Sequence, residues 1–250
     1  MTEMAYMVRE DWAQNGTAMN EQSERIRQWL GLGPYVFATG NPKPYRSPDS
    51  ADREFVRYLR DGDSDDLVVT FDRLSEIPES RQRLTHAVVA LHPHEDRDCE
   101  TFRKLVQADA ISKLFVIVWS PQDIVRLWLA GVGAINLHPG TVPESAPDAV
   151  QIEAARCWVD EQYNGLGHGN GKAAVVQLLR AFTAAGYPLD VSIWIRAYFA
   201  AGGTFGHASD VEKLIKEMQR GVRHRIKPRY RDDILDVLHE QATQQRRGIT

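Results

Sequence analysis

Five short, nearly continuous apolar runs recur along the first 140 residues: Tyr35–Thr39, Leu67–Phe71, Ala87–Leu91, Lys113–Trp119 and Ala134–Leu137. Rich in Val, Ile and Phe, they fit strands covered on both faces, as in a parallel sheet. Helical patterns separate them. Ala51–Arg60 puts Phe55, Val56 and Leu59 on one side, and Cys99–Ala108 does the same with Phe102, Leu105 and Val106. In Pro121–Ala130, Ser120 can cap the free amides, Pro121 suits the first helical position and Gly131 can close the end. This alternation predicts an α/β domain, a mostly parallel sheet layered with helices in a Rossmann-like arrangement, over about residues 31–140.

The flanking segments differ. Residues 1–30 are expected to contribute one amphipathic helix near Glu21–Leu30, with Ile26, Trp29 and Leu30 on a shared side. Residues 141–250 read as an all-α helical bundle. Val175, Leu178, Leu179 and Phe182 form one stripe on a helix after Lys172. Asp190 can cap Val191–Ala201, a segment so apolar that it must lie at a bundle centre or in an oligomer contact. Ser209 and Glu212 spell a capping box before Val211, Leu214, Ile215 and Met218. A last helix follows Asp232 and Asp233, with Ile234, Val237 and Leu238 inward. Three prolines between Pro139 and Pro147 place the boundary between the two domains.

Charge divides along the same line. Residues 1–160 carry a net charge of −8 and residues 161–250 a net of +4, within a whole-chain value of −4. With 43% hydrophobic and 26% charged residues the composition is that of a globular chain, which excludes disorder and fibrous repeats. The longest apolar run, Leu114–Trp119, falls far short of the roughly 20 residues that span a bilayer, and no secretory signal opens the chain, so no membrane partner is expected. Two cysteines, Cys99 and Cys157, are too few for a disulfide framework or a four-thiolate zinc site; a reducing, cytoplasmic setting is the simplest expectation.

Three segments carry candidate chemistry. In a parallel sheet, ligands gather at the carboxyl ends of the strands, which here hold Thr39-Gly40-Asn41, Asp72, His92 to Asp96, Ser120 and His138. Thr39, Gly40 and Asn41 are phosphate-binding candidates. His92, His94 and Asp96, with His138 from another strand, could converge on a divalent metal, zinc or manganese, and activate water for hydrolysis. The His-x-His-x-Asp spelling resembles the metal motif of the metallo-β-lactamase fold over these five residues. Arg97 stands where that motif usually continues with a histidine, and the strand–helix order differs from stacked antiparallel sheets, so the family's properties are not carried over.

The second segment, Asn164 to Lys172, holds four glycines; Gly169, Gly171 and Lys172 are phosphate-binding candidates before a helix. It is not a Walker A loop, since Leu166 and Ala173 occupy required Gly and Ser/Thr positions. The third segment, Arg220 to Arg231, has six Lys/Arg in twelve residues and no acid. Arg220, Arg223, Arg225, Lys227, Arg229 and Arg231 would bind phosphates, Tyr230 would stack on a base, and Lys213 and Lys216 would extend the patch. A nucleic acid or another polyanion is the favoured partner, and docking of the arginine run on the acidic first domain is an equal reading of the same charges. The alternatives are a metal-dependent hydrolase built on the histidine rim, and an assembly subunit that forms a homo-oligomer through its helical domain.

Overall fold

The computed structural model describes residues 1–9, 19–31, 35–47, 50–60, 68–75, 84, 86–138 and 147–248, without the side chains of residues 46, 75 and 246–248. Most of the proline-rich boundary, the Asp61–Asp66 turn and Leu67 lie outside these residues. The chain forms two compact units, Met1–Leu129 with Gly133–Pro143, and Ala130–Val132 with Glu144–Thr250.

The first unit is built on six parallel strands: β1 (Glu3–Val8), β2 (Tyr35–Thr39), β3 (Val68–Thr70), β4 (Ala87–Leu91), β5 (Lys113–Val118) and β6 (Ile135–Asn136), in the order β3-β2-β4-β5-β1-β6. The mostly parallel α/β architecture is thus present. β1 corrects the expectation that residues 1–30 hold only a helix. Met4 to Val8 is a mixed run of Met, Ala, Tyr and Val. It becomes a strand because six residues pair in register with Lys113–Val118, and context outweighs local preference in sheets. Ala5, Met7 and Val8 are fully buried as a result.

Helices fill the connections: α1 (Met19–Leu30), α2 (Lys43–Arg46), α3 (Ala51–Arg60), α4 (Phe71–Ser75), α5 (Asp96–Gln107) and α6 (Ile124–Gly131). The α3 stripe is inward as its spacing requires, with Phe55, Val56 and Leu59 buried. The start of α6 differs from expectation. Asp123 Oδ2 accepts from the Trp119 and Ser120 amides at 3.2 and 3.0 Å, so Pro121 sits in a turn and the helix begins at Ile124. Gly131 falls inside the last turn, and Gly133 takes the left-handed conformation at φ +80°.

The second unit is helical: α7 (Ala149–Glu161), α8 (Gly169–Ala184), α9 (Val191–Ala200), α10 (Phe205–Gln219) and α11 (Ile234–Gly248), with a 3-10 turn at Gln162–Asn164. Val175, Leu178, Leu179 and Phe182 are all fully buried, as is the body of α9, where Trp194 meets Trp158 and Phe182 at ring distances of 5.3 and 5.0 Å. The apolar α9 is therefore covered inside its own unit. Two boundaries are corrected. α8 starts at Gly169, not after Lys172, and α10 starts at Phe205, which leaves the Ser209–Glu212 spelling inside a helix instead of at its cap.

Candidate functional site

The basic segment begins where Gly221, at φ +83°, closes α10; its amide bonds Met218 O and that of Val222 bonds Glu217 O. From Val222 to Arg229 the chain has neither helix, turn nor bend. Arg180 Nη2 donates to His224 O at 2.7 Å, and Gln177 bonds the backbone of Arg229 and Tyr230 through both its amide atoms. These bonds fix the segment beside α8. Side chains then alternate: His224 is buried and Ile226 half-buried, whereas Arg223, Arg225 and Lys227 are exposed. Burial and the nearby Lys172 lower the pKa of His224, so the inward side is neutral while the outward side is cationic.

Not every basic residue of the segment faces solvent unpaired. Arg229 is ion-paired with Glu161, Arg231 with Asp233 at 2.6 Å, and Lys216 with Glu212 at 2.5 Å. Tyr230 corrects the expectation of base stacking. It is half-buried, and burial raises its pKa, with the Cys157 thiol and the Arg229 guanidinium among its titratable neighbours. Arg220 turns back to Lys216 O at 3.2 Å. Among the described residues no ion pair engages Lys213, Arg223, Arg225 or Lys227. Glu161 and Gln177, the anchors, were invisible to spacing because they lie 50 to 70 residues away on other helices.

The glycine-rich segment is not an open cradle. A Cβ on Gly171 would meet Gly165 O at 2.1 Å, and one on Gly167 would meet Asp210 Oδ1 at 2.7 Å. Leu166, between Gly165 and Gly167, is fully buried. These glycines permit close contact of the chain with itself and with α10, and the Asp210 carboxylate opposes a phosphate there. Gly169, Gly171 and Lys172 instead form the first turn of α8, where the Lys172 amide bonds His168 O.

In the α/β unit the strand ends share one rim, because every pairing is parallel. The chain leaves β2 toward β3 and leaves β4 toward β5, so the connections diverge between β2 and β4, where such sheets form a crevice. Thr39, Gly40 and Asn41 lie there. They face a carboxylate: a Cβ on Gly40 would stand 3.2 Å from Oδ2 of Asp98, a residue only 4% exposed. Burial raises the pKa of Asp98, as it does that of Asp96. A carboxylate in this position works against a phosphate at Thr39-Gly40-Asn41.

The histidine rim does not assemble as a metal centre. Among the described residues no three His, Cys, Asp or Glu side chains come together as ligands. His94 and Asp96 are exposed, the latter opening α5. His138 follows β6, three strand spacings from β4, or roughly 14 Å across the sheet. His92 turns instead toward Arg9. The chain is left-handed at His92, φ +53°, and Arg9 Nη1 lies 2.8 Å from His92 Nε2 and 2.6 Å from Asp52 Oδ1. The His92 and Trp119 rings meet edge to face at 5.1 Å. Burial and the Arg9 charge hold the His92 pKa down to about 4, so the ring is neutral near pH 7 and accepts from Arg9 through Nε2. Arg9 follows β1, so missing that strand hid the residue from the rim.

The class defined by these features is a two-unit protein, a parallel α/β layer unit and a helical unit bearing a one-sided basic segment. A scan against protein-family models, a search of curated proteins and a search of solved structures each give no match. Among the described residues no helix is long and apolar enough to cross a membrane.

Proposed function

We propose that this protein binds the phosphate backbone of a nucleic-acid strand through Arg223, Arg225 and Lys227, flanked by Lys213 and Arg220. The supporting observation is the alternation along Arg223–Lys227, where Arg223, Arg225 and Lys227 are exposed while His224 between them is buried and Ile226 half-buried. In extended chain, alternate residues stand about 6.6 Å apart, a ladder of cations suited to a row of phosphates. Because the segment is tied at both ends by Gln177, Arg180 and Glu161, little backbone freedom is lost on binding. The whole chain is acidic, so attraction must be local and strongly screened by salt.

The test is fluorescence anisotropy with a labelled single-stranded oligonucleotide at several salt concentrations. Three to five phosphate contacts give a slope of log K against log salt of about −2 to −3.5. The triple variant Arg223→Glu, Arg225→Glu, Lys227→Glu should lose binding while its circular dichroism stays unchanged. Absence of binding by the wild-type chain at low salt, or equal affinity of the triple variant, would refute the proposal.

A further inference from the structure

A second cation is held ready in the α/β unit. The hydrogen bonds of Arg9 to Asp52 and His92 both leave through Nη1. A guanidinium has five N–H donors, and among the described residues Nη2 and Nε of Arg9 have no hydrogen-bond partner. The group is not loose. Asp52 holds it from α3, His92 from the end of β4, and its carbon lies 5.2 Å from the centre of the Trp119 ring at the end of β5. The side chain retains 26% exposure. It lines a small cleft open to solvent, together with Met19, Gln22, Phe55, His92 and Ile117.

Two further features mark this cluster as incomplete. With Nε2 accepting from Arg9, neutral His92 carries its proton on Nδ1, which is buried without a partner among the described residues. Trp119 is 52% exposed although Leu114–Val118 before it are buried, so one aromatic wall of the cluster is open. Asp52 compensates the Arg9 charge in part and fixes its plane, and the free edge of the fork keeps the geometry that matches two oxygens of an acid group.

We propose that Arg9 anchors a small-anion site in the α/β unit, its open Nη2–Nε edge taking the carboxylate or phosphate group of a small ligand. This site is separate in residues from the basic segment of the helical unit and stands or falls without it.

The experiment follows the Arg9 Nε–H resonance and the His92 ring resonances of the full chain by NMR, with inorganic phosphate and acetate added in separate titrations. The expected result is saturable movement of both sets with at least one anion, at a Kd of about 1 mM or below. The stronger anion tells a phosphorylated ligand from a carboxylic acid. The Arg223→Glu, Arg225→Glu, Lys227→Glu variant should give the same titration, and Arg9→Lys, which keeps charge but not the fork, should weaken it at least tenfold at the His92 ring. Absence of saturable movement of the wild-type resonances with either anion overturns the site. So does an unweakened titration in folded Arg9→Lys; should that variant not fold, the wild-type titration decides alone.

Discussion

Arg229 reaches back from the end of the basic segment to Glu161, the last residue of α7, and the two form an ion pair in which the carboxylate is only 11% exposed. The pair converts a run of charge into a fixed ledge by tying one end down. Removing the acid would leave a cation facing a half-buried surface. Glu161→Ala should lower unfolding stability by about 1–2 kcal/mol, near the worth of a charge-assisted hydrogen bond. Urea unfolding checks the value. Because Tyr230 is adjacent, its near-ultraviolet dichroism should weaken in the same variant.

The glycines of the second unit separate two effects. Gly171→Ala would drive a methyl into Gly165 O, a backbone atom that has no side-chain freedom to yield. A loss of about 2–3 kcal/mol is expected, as for overpacked cores. Gly206 lies in the first turn of α10 with nothing near its missing Cβ. Gly206→Ala should instead stabilise by up to about 1 kcal/mol through reduced freedom of the unfolded chain. Thermal unfolding of the two variants should move Tm in opposite directions.

These cases show what local pattern carries. Strands β2, β4 and β5 and the stripes of α3 and α8 were legible because each is a run of apolar residues with one period. β1 was not, since Met4 to Val8 becomes a strand only by pairing with residues more than 100 positions away. The same distance problem hides the site. The six cations from Arg220 to Arg231 are plain in the sequence, but spacing does not tell that Arg229 and Arg231 meet acids while Arg223 and Arg225 face water. The His92–Asp96 spelling suggested a metal because its residue types suit one. The left-handed turn at His92 leaves His94 and Asp96 exposed while His92 meets Arg9.

That inward placement sets a pH dependence. His92 is depressed to about 4 in the folded chain against an ordinary value of about 6.5, so the unfolded chain binds the proton first as pH falls. Its contribution is fully present above pH 6.5 and is lost progressively down to about pH 4. The charged groups facing it are Arg9, which lowers it, Asp52, which raises it, and His94, which lowers it further. Urea midpoints of wild type should therefore fall between pH 6.5 and 4 more steeply than those of His92→Asn. Parallel curves for the two proteins would show that the ring is not held neutral. Asp96 and Asp98, raised by burial, act in the opposite sense and are common to both proteins, so the difference isolates His92.

Ion pairing within the basic segment sorts its cations by what binding would cost them. Arg231 is committed to Asp233 and Lys216 to Glu212, so a phosphate could engage either only by displacing a carboxylate. Arg225 has no such competitor among the described residues and points outward between two packed neighbours. Arg225→Ala should therefore reduce oligonucleotide affinity by about three- to tenfold at low salt and make the salt slope shallower by about 0.7, one contact's worth on a single strand. Arg231→Ala and Lys216→Ala should change affinity by less than about twofold, because exposed pairs are weak and their loss frees an acid as well as removing a base. Anisotropy titrations of the three variants distinguish this pattern from simple dependence on net charge, under which all three would weaken equally.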